Sequence, residues 1–519
     1  MAVLESTVNR TERSAKAVAR LRDRMMAPVD ASGLAVFRIG FGLIIAWEAW
    51  RFFERGYIRS NFLVPDYLFT WWGFDWVRPH EVGSYVHIAV LGIAALTLAA
   101  GVFYRLSASV VFLGIAYLFL LDKATYLNHV YLAGLIAFLL IIVPTHATWS
   151  VDARRKPWVR AETVPTWALW LMRFQVGIPY FFAGVAKLNF DWLVRSEPLR
   201  EWLIPHTDFP LIGRFFGNEL ITRTMTYGSA LLDLSVAFLM LNRRTRAPAY
   251  GLVLAFHLFN SRIFSIGIFP WMMIIVTTIF FDADWPRRML RTIRSGSSFA
   301  RGVMAAGAVL GLLVGATIPR DFAVVKALVG AFGVAVFAFH MLPERLREPA
   351  RPVADGTSGT PWRRYSYTRR LAWFLVLWAA VQIALPLRHF AIPGNVHWTE
   401  EGYRFSWHMM LRQKNGFVSF HVRDPASGES WTEDLRNHIT PQQVRRMQPM
   451  PDMILDFAHH LEDYYRAQGI ADVEVRVEAE AWLNSREPQA MIDPDRDLTT
   501  VRGPLLWRAD WIVPLRPYR

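Results

Sequence analysis

Eleven apolar blocks between residues 34 and 386 constrain this chain more than any other feature. They fall near 34–52, 84–103, 106–121, 129–144, 166–187, 226–241, 247–262, 264–282, 300–318, 322–342 and 370–386. A helix needs roughly 20 apolar residues to cross a bilayer core, and most of the blocks approach that length. The chain is 53% hydrophobic, above the usual soluble range, and the excess sits in these blocks. The expected fold is therefore an α-helical polytopic membrane bundle. Some blocks are short and two pairs nearly touch, so the expected number is about 9–11 spans.

Charge orders the spans. The formal net charge is +14, and the positive residues lie in connections between apolar blocks. That arrangement favours a membrane topology over a nucleic-acid partner. Cytoplasmic loops carry excess Lys and Arg. Residues 1–33 form a basic arm with Arg10, Arg13, Lys16, Arg20, Arg22 and Arg24, expected to be cytoplasmic and too long and polar for the start of a cleavable signal peptide. Alternating from there, the basic stretches 154–156, 243–246, 287–294 and 345–370 all fall on the inner side. The connections 53–83, 122–128, 188–225, a turn near 263 and 319–321 fall on the outer side. So does everything after 386.

Three regions follow: the arm 1–33, a transmembrane helical domain 34–386, and an extracytoplasmic β-rich α+β domain 387–519. Alternating runs at 416–422 and 473–478 read as strands, and 451–468 reads as an amphipathic helix. The Arg/Pro/Gly-rich segment 345–369 reads as a linker. No cysteine is present, which excludes disulfides, thiolate chemistry and Cys-zinc sites. Only six of the basic residues are lysines, and the arginine preference points to a GC-rich bacterial genome and a plasma-membrane location.

Four groups of residues could carry chemistry. Lys187 closes an apolar run, Ile178 to Ala186. Such a lysine commonly snorkels to the headgroups. Yet this chain uses arginine wherever a plain cation serves, and lysine differs in being deprotonatable when desolvated, so a general base is the alternative. His129, beside Asn128 and two tyrosines, opens a span on the outer side. It is either structural or a member of a semi-polar niche. The block 257–270 holds His257, Asn260, Ser261, Phe264 and Ser265. It is either a helical hairpin capped by Ser265 or Asn260, or the wall of a flat apolar pocket. The last group, His389 with Trp398, Tyr403, Trp407, His408 and Met410, is core or interfacial belt taken singly. Under the charge-derived topology all four groups lie at outer span ends. No zinc-ligand spacing, P-loop, dinucleotide fingerprint or G-x-S-x-G motif is present, so neither a metal nor a nucleotide is expected. An outward-facing pocket for a lipophilic ligand fits these residues.

The same residues carry a family resemblance. Asp122-Lys123, Asn128-His129-Val130-Tyr131-Leu132, Trp149-Ser150-Val151-Asp152 and Tyr180-Phe181-Phe182-Ala183-Gly184-Val185-Ala186-Lys187-Leu188 come first, with Asp191-Trp192. Phe256-His257, Asn260-Ser261, Phe264-Ser265-Ile266-Gly267, Phe269-Pro270, Trp285-Pro286-Arg287, His389-Phe390, Ser406-Trp407, Met409-Met410 and Asp493-Pro494 follow in order. From about residue 30 to the C-terminus the chain resembles the vitamin K-dependent γ-carboxylases, membrane proteins with an HTTM domain. The resemblance implies vitamin K hydroquinone or a related quinol as cofactor, with O2 and CO2 as co-substrates. A lysine deprotonates the hydroquinone, oxygenation generates a strong base, a glutamate γ-proton is removed, and the carbanion captures CO2 while the quinone leaves as its epoxide.

By motif match Lys187 is the base, His129 assists at the carbanion, and Asn128 positions Lys187 or the quinone. Phe264, Ser265, Trp407 and Met410 lie near the naphthoquinone or the glutamate, and His257, Asn260 and His389 belong to the same cofactor-binding set. The implied partners are a glutamate-containing peptide or protein and the membrane quinone. The chain departs from the family in lacking the disulfide of its animal members, and Ala186 stands where they have a lysine. Two other readings remain: a quinol epoxidase without peptide carboxylation, and a non-catalytic membrane protein that binds peptides.

Overall fold

The computed structural model describes residues 16, 19–318, 322–349, 368–502 and 508–518. Most of the basic arm, the connection 319–321 and the bulk of the 345–369 linker lie outside the described residues.

Each of the eleven apolar blocks is helical. They are α1 (Ser32–Glu54), α2 (Glu81–Ala100), α3 (Tyr104–Leu121), α4 (Asn128–Ile142), α5 (Thr166–Ala186), α6 (Glu219–Leu241), α7 (Arg246–Ile263), α8 (Phe269–Val276), α10 (Ser298–Thr317), α11 (Ala323–Met341) and α12 (Arg369–Leu387). An amphipathic helix, α9 (Trp285–Ser295), joins α8 to α10 and carries Arg287, Arg288, Arg291 and Arg294. Among the described residues, eight helices are long and apolar enough to cross a membrane. The others have local reasons to fall short. Helix α4 has 15 residues. Helix α8 ends after 8 residues and tightens into a 3-10 turn, Thr277–Phe280. Helix α7 contains Arg246, His257, Asn260 and Arg262.

Glycine sets the closest helix contacts. Gly307, Gly311 and Gly315 recur one turn apart on α10. A Cβ at Gly311 would lie 2.1 Å from the Gly330 carbonyl oxygen of α11. Such close approach is the usual way that helices associate where lipid supplies no hydrophobic drive. At the other end of the bundle, Arg38 of α1 is fully buried and donates to the Thr145 oxygen at 2.7 Å and the Trp149 oxygen at 2.6 Å. It thereby satisfies carbonyls that follow the end of α4, where no intrahelical donors remain.

After α12 the chain builds a small C-terminal domain, called the outer domain because it lies outside the helix bundle. Its antiparallel sheet has the order β4-β3-β5-β6, with β3 (Lys414–Arg423), β4 (Ser430–Thr432), β5 (Glu474–Leu483) and β6 (Gln489–Ala490). A separate two-stranded ribbon, β1 (Pro28–Asp30) with β2 (Thr163–Pro165), lies in the membrane part. Burial alternates along β3 and β5, so one face of the sheet packs inward. Helices α13 (Pro441–Met447) and α14 (Pro451–Ala467) complete the domain, and Phe420 and Phe457 meet in its core. Phe69, from the loop between α1 and α2, is buried in that same core. Membrane bundle and outer domain therefore share side chains.

Candidate functional site

Four helix ends meet beneath the outer domain: the C-termini of α1, α5 and α7 and the N-terminus of α4. Together with residues 403–412 they enclose a cavity of about 1150 Å³. That is large for a small-molecule site, and its walls are mainly apolar and aromatic, as such sites require. Lys187, His129, Asn128, His257, Asn260, Phe264, Ser265 and Met410 all line it. Trp407 and His389 do not. Trp407 is 1% exposed and packs on Tyr131 with ring centroids 5.2 Å apart. His389 Nδ1 bonds the Pro386 carbonyl at 2.8 Å, and its ring stands edge-on to His408, which does line the cavity.

Lys187 is the residue that caps α5 at its C-terminus. Its side chain is 6% exposed and its Nζ pairs with the carboxylate of Asp233 on α6, which is 4% exposed. Nζ also stands 5.5 Å from the centre of the Trp192 ring, within cation–π range. The amine thus faces the cavity with a buried counterion behind it. Desolvation alone, the basis of the sequence argument for a base, is only half of its environment.

Asn128 is fixed from both sides. Its Oδ1 accepts from Tyr126 Oη at 3.0 Å, and its Nδ2 donates to the His408 carbonyl at 3.1 Å. His129 follows at the start of α4, with Phe269 6.1 Å away, and Phe269 in turn meets His257 edge-on at 5.7 Å. His257 Nε2 shares a hydrogen bond with Tyr180 Oη at 2.9 Å, while its Nδ1 is buried without a partner. Neither Ser265 nor Asn260 caps a helix through its side chain. The link between α7 and α8 is open backbone, and Ser265 is exposed on the cavity wall.

The outer domain contributes a strained segment. Glu400, Phe405, Trp407 and Met410 all have positive φ, which L-residues adopt rarely. Each such residue costs on the order of 1–3 kcal/mol, held here by Tyr126 Oη accepting from Phe405 N at 2.8 Å and by Tyr403 Oη donating to the His408 carbonyl at 3.1 Å. His408 Nδ1 bonds His397 Nε2 at 3.0 Å, and His408 Nε2 is buried without a partner. Burial, reinforced by His397, His389 and Arg412, holds the His408 imidazole well below its ordinary pKa and so neutral.

Sequence reasoning missed Asp233, Glu48 and Arg51, all of which line the cavity. A signal existed: each is a charged residue inside an apolar block, and charge at membrane depth marks function or pairing.

Two family models match this chain. The HTTM domain matches residues 26–285, half of the sequence, and the lumenal domain of vitamin K-dependent gamma-carboxylase matches residues 367–517. No solved structure matches it.

Proposed function

Because the chain belongs to the HTTM-domain family and is a vitamin K-dependent gamma-carboxylase-like membrane protein, we propose that it couples oxidation of a bilayer quinol to carboxylation of glutamate side chains. The observation that carries this reading is the convergence of Lys187, Asn128 and His129, from two helices, on one large cavity between bundle and outer domain.

The cavity suits the cofactor. Aromatic and aliphatic walls accept a naphthoquinol ring, and an amine stands at the wall to meet its hydroxyl. Bound vitamin K hydroquinone supplies, on reaction with O2, the strong base that removes a glutamate γ-proton, and it departs as the epoxide. Lys187 takes the hydroquinone's hydroxyl proton as the neutral amine, so the Lys187–Asp233 ion pair is the protonated form that must first give up a proton, and Asp233 stabilises the ammonium when it forms again. His129 serves the glutamate carbanion, to which CO2 adds through a new carbon–carbon bond. Asn128, tethered to the outer domain, holds the ring in register with both groups. Closure by residues 403–410 excludes water that would otherwise quench the carbanion. The basic connections support a non-cytoplasmic orientation of this face.

The test uses purified protein with reduced vitamin K, O2, labelled CO2 and a glutamate-rich peptide. Epoxide and labelled peptide are expected together. Lys187→Ala is expected to abolish epoxide formation, and unchanged epoxide in that variant would remove Lys187 from the role of base. Epoxide without label would identify a quinol epoxidase, and peptide binding with neither product a non-catalytic binding protein.

A further inference from the structure

Protein does not close the cavity on every side. Part of its wall comes from α6 and α7, an antiparallel pair joined away from the outer domain by the short connection 242–245. On α6 the lining residues recur each turn, from Thr224 and Met225 through Gly228 and Ser229 to Leu232. On α7 they are Leu252, Ala255, Phe256 and Phe259, again one helical face. Some of these residues are exposed to the exterior as well. Gly228 and Ala255 are exposed, and Leu252 is 55% exposed. A Cβ at Gly228 would meet nothing within 4 Å. Residues that face the cavity and the exterior at once mark an opening, and this one lies between the two helices.

The exterior here is the bilayer. Tyr227, Leu231 and Phe238 on the adjoining face of α6 are large, apolar and exposed, as a lipid-contacting surface requires. Leu252 lies about three turns before the C-terminus of α7, about 16 Å at 1.5 Å per residue. The opening therefore extends to about the middle of a hydrocarbon core roughly 30 Å thick. The hydroxyls along it are engaged within α6 itself: Ser229 Oγ donates to the Thr226 carbonyl at 2.9 Å and Thr224 Oγ1 to the Leu220 carbonyl at 2.7 Å. A peptide lying there would leave its backbone amides unpaired, whereas a hydrocarbon chain leaves nothing unpaired.

We infer that the slot between α6 and α7 admits the quinol from the bilayer and then holds its isoprenoid tail while the ring sits beside Lys187, a proposal that rests on the quinol-oxidation reading. Asp233, which carries the Lys187 pair, follows Ser229 by one turn on α6 and lines the same cavity, so the slot leads to the amine. A tail that stays in the slot never enters water, and only the ring changes its surroundings on binding. The preferred substrate is accordingly a naphthoquinol with a long isoprenoid chain rather than a bare ring.

The test compares two reduced naphthoquinols with the full-length protein in detergent. One carries four isoprene units. The other, 2,3-dimethyl-1,4-naphthohydroquinone, has the same ring and no tail. Gly228→Leu and Ala255→Phe fill the slot from its two sides. Each is expected to raise KM for the tailed quinol about tenfold, the scale of losing a methylene or two from an apolar pocket. Epoxide formation from the dimethyl compound is expected to be unchanged, which also shows that the variants fold. Gly302→Leu, equally open to lipid but on α10, is expected to change neither. An unchanged KM for the tailed quinol, or an equal loss with both quinols, would overturn the slot. If the wild type forms no epoxide from either quinol, the quinol-oxidation reading fails, and binding then decides the slot separately. The oxidised tailed quinone is expected to raise the Tm of the wild type more than 2,3-dimethyl-1,4-naphthoquinone does, and Ala255→Phe to remove the difference. Equal Tm shifts with the two quinones would overturn the slot on that measure too.

Discussion

Placing an ammonium and a carboxylate in an apolar helix bundle is costly unless each has the other. Lys187 and Asp233 satisfy that condition, with Trp192 covering the amine. Removing one partner strands the other, a loss of about 3–5 kcal/mol, whereas replacing both with apolar groups of similar shape is often neutral. Asp233→Leu is therefore expected to lower stability by that amount and Lys187→Met by a comparable one. The double variant is expected to recover most of the loss. Thermal unfolding of the four proteins in one detergent closes the cycle, and additive losses would show that the pair is not coupled. The lysine was legible in the sequence because it broke the chain's arginine habit and ended an apolar run. Its counterion was less so, since pairing between side chains on separate helices leaves no local periodicity. The acidic residue within Leu231-Leu232-Asp233-Leu234 was the clue.

At the scale of elements, that pair depends on how closely α5 and α6 approach. Gly184 sets the distance: a Cβ there would lie 2.6 Å from the Leu234 amide nitrogen and 3.0 Å from the Asp233 carbonyl carbon. Both are backbone atoms, so no side chain can swing away and the helices must part. Displacement of a reacting group by about 1 Å can cost on the order of 100-fold in rate. Gly184→Ala is expected to reduce quinol oxidation by a factor of that order, while Gly302→Ala, with nothing within 4 Å of its new methyl, is expected to be silent or slightly stabilising. Equal rates in the two variants would remove the α5–α6 spacing from the mechanism. The helices themselves were visible as apolar blocks. The break of α8 into a 3-10 turn was not, because Met272 to Phe280 is apolar but for Thr277 and Thr278 and periodicity cannot register a change of helix type. The strands of the outer domain announced themselves by alternation, since one face of their sheet is solvated.

Across the whole molecule, catalysis by this cavity requires the outer domain to stay docked, and a chain without cysteine must do that without a disulfide. Two ionic clasps serve. Lys123, in the loop before α4, pairs with Asp456 and lies 3.4 Å from Asp452, both on α14. Asp191, one turn beyond Lys187, accepts from Arg486 at 2.7 Å through each oxygen and from Asn484 Nδ2 at 2.9 Å. Burial works to raise the pKa of Asp191 and of Asp452, but their arginine and lysine partners prevail and hold both below the ordinary carboxylate value. A carboxyl whose folded pKa is depressed binds fewer protons than its unfolded counterpart. Its contribution is therefore complete above about pH 4, the unfolded value, and lost as pH falls through the folded one. Asp456 runs the other way, since burial raises it, and so it offsets part of the gain at the first clasp. The second clasp has no such opponent. Acidification below about pH 4 is accordingly expected to release the segment around Asp191 before the bundle unfolds, and Arg486→Gln to release it already at neutral pH. Amide exchange at residues 188–200, measured against exchange in α4 and α5, reads this directly. Exchange in the variant that matches wild type there at neutral pH would mean that apolar contacts such as the burial of Phe69, rather than the clasp, hold the domain over the cavity.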